Sequence, residues 1–446
     1  MPLDLPTSLV CLLSLFRPCF TAPSFATFSG LALGFLARVG RHTVTGCLQA
    51  AGLAGLWHHA RAPLLLAGAL VAGRARPLPA RARGREARAR RRAAPARRRR
   101  HPPSPLGQEG LRLPLALRRR GEDEAGPALG LGQQLGLPRR RRPASLPRPP
   151  LCLPVLFRLW RPKQPRRTKP WLARELVELV ASRYPGRRLE VVADAAYAAQ
   201  ALASLPENVT VTARLRRDAA LFGLAPPRAG KRGRPRTKGE RLPSLSQLAD
   251  DPGTEWQTVA VSRYGHSAEV RLHGVRCLCY GVFAGQEVTV VLAREEKTTA
   301  GFDLALVSSD TEASAPALVE RYARRWAIEV CFQEAKQLAG VGEAQNRTRE
   351  AVERTAPFGF LCLSLAVVWY ALFGHAPADV HEHRARAPRY RTKAHPSLAD
   401  MLAKLRREII AAQFRAGRPS GGRQHEKYPR PPGRWRRRRC EVRKSR

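Results

Sequence analysis

The stretch RYARRWAIEVCFQEAK, residues 321–336, sets Tyr322, Arg325, Glu329 and Lys336 apart by steps of three, four and seven residues. At ~100° per residue the four positions of a continuous helix fall within roughly 60° of one another, so the spacing predicts a single helical stripe. A carboxylate is then held among two cations and a phenol. Such a face suits phosphate chemistry: the carboxylate can hold a divalent metal on a phosphodiester while Arg and Lys neutralise the flanking oxygens and Tyr donates a hydrogen bond. The same spacing also describes a surface helix laced with ion pairs.

Upstream, residues 189–193 (LEVVA) form a short, apolar, β-branched run that reads as a buried strand, and Asp194 stands where it ends. A carboxylate at the carboxyl end of a strand is well placed for a site. Asp194 would equally serve as an N-cap, because residues 195–203 look helical. Residues 170–183 space their apolar positions by three and four and predict an amphipathic helix leading into that strand. Segments 208–214, 256–263, 268–273, 276–283, 287–293 and 303–309 alternate or run apolar as strands do. Asp310 ends the last of these and reads as a helix cap or as a support for the site.

The ungapped order Tyr322, Arg325, Glu329, Lys336 resembles the Tyr-Arg-Glu-Lys signature of bacterial insertion-sequence transposases with a DDE catalytic core. The likeness extends over roughly residues 152–410, through VVADAAYA at 191–198 and GVGEAQNRTREAVERTAPFGFL after the signature. The resemblance implies an α/β fold, a ribonuclease-H-like core with a β-rich insertion at 208–309. It makes Asp194 and Glu329 the second and third metal-binding carboxylates for Mg²⁺ or Mn²⁺, and Tyr322, Arg325 and Lys336 the phosphate-gripping residues. DNA is the implied partner, both transposon ends and target, and synapsis of two ends implies a homodimer. The implied function is metal-dependent cleavage and strand transfer. A non-catalytic DNA-binding remnant and a hydrolytic DNA nuclease are the competing readings.

The family's first aspartate has no counterpart here. Before Asp194 the chain has Asp4 and Asp123 alone, and neither lies in a plausible strand. Residues 61–150 hold 23 Arg and five acids and lack Lys, Ile, Asn, Thr, Phe, Tyr, Trp, Cys and Met. Their Arg, Ala, Pro, Gly and Leu have GC-rich or numerous codons, so residues 62–151 read as a GC-rich gene translated out of frame, with family character returning at Cys152. The plainer alternative is a basic low-complexity linker. Either way this segment is expected to be disordered and to stay out of the core.

The net charge is +44, of which 23 − 5 = +18 comes from that segment. The remaining +26 still points to a polyanion. Within residues 1–61, residues 25–38 and a second helix starting near Thr43 or Thr45 could form a DNA-binding helical pair joined by Arg38, Arg41 and His42, or two packed core helices with a basic connector. The loop around Arg232-Gly233-Arg234-Pro235 resembles a hook laid in an A·T-rich minor groove, or else a basic loop on phosphates. Both readings bind DNA through Arg232 and Arg234. Residues 152–385 are taken as the catalytic domain and 386–446 as a basic tail.

Nine scattered cysteines lack zinc-ligand spacing and fit a reducing cytoplasm, where such a protein would be associated with the nucleoid. No basic residue precedes the apolar residues 8–16, which argues against a secretory signal. The apolar residues 358–373 fall short of the ~20 that cross a bilayer and read as a buried core helix rather than a membrane partner.

Overall fold

The computed structural model describes residues 6–60, 111–117, 128–134, 151–161, 167–226, 236–344, 349–376, 378–386, 389 and 393–416. Three helices open it: α1 (Thr7–Ser14), α2 (Ala22–Ala37) and α3 (Val44–Ala50). Strands β1 (Leu111–Leu117), β2 (Ala128–Gln134) and β3 (Cys152–Leu159) follow, then α4 (Lys169–Arg183), β4 (Leu189–Ala193) and β5 (Val209–Arg214). Next come α5 (Leu245–Asp250), β6 (Gln257–Arg263), β7 (His266–Leu278), the single turn α6 (Tyr280–Phe283), β8 (Glu287–Glu295) and β9 (Leu304–Ser308). The chain finishes with α7 (Ala315–Ala323), α8 (Trp326–Ala339), α9 (Arg349–Trp369), α10 (Asp379–Arg386) and α11 (Leu398–Ala416).

Among the described residues, nine strands join one mixed sheet in the order β3-β2-β1-β4-β5-β9-β8-β7-β6. The neighbours β1, β4 and β5 run parallel, and the remaining pairs are antiparallel. Parallel strands have both faces covered, and β4 conforms: all five residues of LEVVA are buried. Leu189, Val191 and Ala193 face a cluster built with Leu172, Leu176, Val177 and Val180 of α4. Val192 points the other way, into a cluster with Leu318, Val319 and Tyr322 of α7. Beyond the sheet, α1, α2, α8, α9 and α11 pack with the start of β3 into a separate helical core.

Several sequence expectations change here. The two segments 268–273 and 276–283 are one strand, β7, which passes through Gly274 unbroken, followed by the helical turn α6. Residues 195–203 form two 3₁₀ turns, at Ala195–Tyr197 and Gln200–Leu202, rather than one helix. The segment 62–151 is not wholly outside the fold, because β1 and β2 take interior places in the sheet, between β3 and β4. The Leu residues at 111, 113, 115 and 117 give β1 a period of two despite the surrounding bias. Asp123, and Asp4 near the start, lie outside the described residues.

The predicted single helix over residues 321–336 is instead two. At the junction, Arg325 N–H donates to Tyr322 O, Ala327 N–H to Arg324 O and Ile328 N–H to Arg325 O, all three residues back, which tightens the backbone by a 3₁₀ step. The break has a packing cause. Helix α7 buries Leu318, Val319 and Tyr322 on the sheet, whereas α8 buries Ile328, Cys331, Ala335 and Ala339 in the helical core, so the chain changes partner at Arg324–Arg325.

The amino-terminal helices belong to that same helical core. Thr43 caps α3 by accepting from Gly46 N–H at 3.1 Å, and α2 crosses α3 so closely at Gly34 that a Cβ there would lie 1.9 Å from the Cys47 carbonyl oxygen. This is the arrangement of packed core helices with a basic connector. Helix α9 with its π-helical extension, Arg349–Gly374, is long and apolar enough to cross a membrane, yet it packs inside the helical core.

Candidate active site

Asp194 follows the last residue of β4 with extended backbone (φ −78°, ψ 167°) and caps the next turn, its carboxylate accepting from Ala195 N–H at 2.8 Å. Capping and site placement coexist. One hydrogen bond engages one lone pair and leaves the rest of the carboxylate available as an oxygen ligand.

The elements that meet this strand end bring three of the expected residues together. Tyr322 stands on the face of α7 that covers Val192 and is only 6% exposed. Burial pushes its phenol pKa up, Arg325 opposes that, and Asp194 adds to it. Arg325, at the 3₁₀ step, donates from Nη1 to Glu329 Oε1 at 2.6 Å, with its guanidinium 5.5 Å from the Tyr322 ring centre. Burial opposes the charge on Arg325, but Tyr322, Glu329 and Asp194 outweigh it and push its pKa further up. Arg325 is thus paired directly with Glu329, while Asp194 adds a smaller contribution to its raised pKa. Glu329, in the first turn of α8, keeps 41% of its side chain exposed, and Lys336 is exposed two turns further along.

Tyr322 departs from its expected part. Its ring is a member of the core cluster, so in this state it backs Arg325 rather than reaching a phosphate. Asp310 is not a helix cap, since Ser314 holds that position for α7, and of its two expected parts only that of a support is left. It lies buried between Arg188, 2.5 Å away, and Arg321, 2.9 Å away, with Arg321 also 3.1 Å from Glu190. Two guanidinium groups compensate its charge there. Arg232 and Arg234 lie outside the described residues.

Two features were missed in the sequence. Arg214 ends β5, one step beyond the pairing of Ala193 with Ala213, so it stands beside Asp194 across the parallel ladder and acts on the Tyr322 phenol. Its signal was available: a basic residue closing the strand parallel to the Asp194 strand. The second is Tyr264, at the first position of the tight β6–β7 turn with Gly265 (φ 53° and 91°), whose ring meets exposed Trp326 edge to face at 6.3 Å. Only the fold brings that hairpin tip to α8.

Asp194 and Glu329 supply hard oxygen donors, which suit Mg²⁺ or Mn²⁺ rather than softer ions. Among the described residues no group of three or more His, Cys, Asp or Glu side chains is assembled for a metal. A two-ion site about 4 Å across needs a further carboxylate beside Asp194 and Glu329. The adjacent strand does not provide it. In β1, Pro114 is level with Val192, which carries Ala116 level with Asp194, and residues 111–117 (LRLPLAL) contain no acid.

Residues 146–274 match the model of a family described as DDE superfamily endonuclease. The matched segment contains Asp194 and stops before Glu329. No curated protein matches the chain. Among solved structures it is similar to a piggyBac transposase in a synaptic complex with hairpin DNA, at 14% identity and a TM-score of 0.33, over 70% of this chain and 54% of that one. This chain thus spans about half the length of that transposase, and so distant a likeness adds nothing to the reading of the site.

Proposed function

We propose that the chain is a transposase of the insertion-sequence DDE group with a ribonuclease-H-like core, and that this copy is impaired. The observation that carries the reading is the placement of Asp194 at the end of β4, whose Val192 is covered by Tyr322 of α7, with Arg325 paired to Glu329 at 2.6 Å where α7 gives way to α8. The endonuclease family match across residues 146–274 supports the same reaction class. The mixed sheet, with β1 parallel to β4 in its interior, is compatible with the expected core.

In this reading Asp194 and Glu329 hold Mg²⁺ or Mn²⁺, which when bound supplies Lewis acidity toward a phosphodiester and its attacking oxygen. The chain's own groups do the positioning. Arg325, Arg214 and Lys336 neutralise phosphate oxygens near the cleaved bond, and Tyr322 fixes the Arg325 guanidinium from behind. The partners are DNA ends and target, bound by a homodimer in the nucleoid of the cytoplasm. The acid-free strand β1 and the biased composition of residues 62–151 support a lost reading frame that removed the first aspartate.

That same gap favours the second reading, a DNA-binding remnant without activity. Translation of codons 62–151 in the other two frames separates them, and an Asp-Asp-Thr-like motif on the β1 strand is the expected result. The frame-restored protein should nick duplex DNA with Mg²⁺ or Mn²⁺, and Glu329→Gln should abolish this. Salt-sensitive binding without any cleavage by the restored protein would leave the remnant reading standing. Cleavage without end joining would assign a hydrolytic nuclease.

A further inference from the structure

Arg325 occupies an awkward place for a cation. It is the N-cap residue of the 14-residue helix α8, the end whose exposed N–H groups favour anions, and it precedes its partner Glu329 in the weaker i, i+4 order. Its side chain is nevertheless 15% exposed, and its Nε is buried without a hydrogen-bond partner. A pair arranged for stability alone would reverse the order and leave no donor idle. The guanidinium is backed by the Tyr322 ring and binds Glu329 directly.

We infer that Arg325 is the resident counter-cation of this site, holding the Glu329 carboxylate until a divalent ion displaces it and so freeing the guanidinium for phosphate as metal enters. The inference rests on the reading of Asp194 and Glu329 as the metal-holding pair. A divalent ion and the Arg325 guanidinium cannot share Glu329 Oε1 without placing like charges side by side. The partly exposed Glu329 carboxylate lets the ion approach from solvent. Once displaced, Arg325 keeps its place at the α8 N-terminus, where its freed Nη1 and the neighbouring Nη2 form a fork suited to a phosphate oxygen pair. Metal and phosphate then favour each other, and by linkage the effect is equal in both directions.

The test is Mn²⁺ binding to the full chain, read by electron paramagnetic resonance, with thermal melting to confirm that each variant is folded. Arg325→Gln should bind Mn²⁺ about tenfold more tightly than the unaltered chain, a size typical of coupled sites, and Arg325→Lys should fall between the two. A short duplex should tighten Mn²⁺ binding more in the unaltered chain than in Arg325→Gln. Equal or weaker Mn²⁺ affinity in both Arg325 variants, with binding still lost in Glu329→Gln, would overturn the counter-cation role and leave the metal site in place. Mn²⁺ binding indifferent to both Asp194→Asn and Glu329→Gln would remove the site itself and the inference with it.

Discussion

Arg321 reaches from α7 to Glu190 on β4, its Nη2 3.1 Å from the carboxylate, and the same nitrogen lies 2.9 Å from Asp310 at the end of β9. One guanidinium therefore ties the helix that carries Tyr322 to two strands. Glu190, Val192 and Asp194 alternate onto one side of β4, so the clamp at Glu190 and the site at Asp194 share a strand face.

Breaking this clamp should cost more than any exposed pair. Arg321→Met would leave Glu190 and Asp310 buried with less compensation, and removing one partner of a buried pair costs about 3–5 kcal/mol. Denaturant unfolding should show a loss of that order. A loss below ~1 kcal/mol would mean that the cluster is solvated in solution.

Gly34 tests the helical core. Alanine there would meet the Cys47 carbonyl oxygen at 1.9 Å, so α2 and α3 must separate. Overpacking of this kind costs about 1–3 kcal/mol or more, and a lower melting temperature is expected. An unchanged melting temperature would contradict the close crossing.

Acid stability should depend on Asp379. Burial raises its carboxyl pKa, but hydrogen bonds from Lys404, Tyr370 and the Ala376 N–H bring it below the ordinary value. A carboxyl whose folded pKa is depressed contributes stability that is fully present above its unfolded pKa, near 3.9, and is lost as pH falls through the folded value. Asp379→Asn should thus lower stability at neutral pH and flatten its decline below pH ~4. An acid-unfolding curve parallel to that of the unaltered chain would contradict this.

The parts legible in sequence were those with local causes. LEVVA announces β4 because β-branched apolar residues need a covered pleat, and Asp194 follows from where that run ends. The apolar spacing of residues 170–183 likewise announces α4. Helical periodicity, in contrast, carries no signal for the 3₁₀ step at Arg324–Arg325, because the cause is a change of packing partner. Tyr322 looked like a free phenol, since nothing local reveals that Val192 of a distant strand buries it. Gly274 looked like a strand end but lies inside β7, where the ladder with β8 runs unbroken. Compositional bias hid β1, whose place in the sheet depends on pairing with β4.

The proposed function requires the carboxylates of Asp194 and Glu329 to serve one divalent ion. A double-mutant cycle on Mn²⁺ affinity in the full chain, using Asp194→Asn, Glu329→Gln and both together, tests it directly. If the two share an ion, either change alone should remove most of the binding and the second should add little. Losses that simply add, as from independent sites, would contradict it.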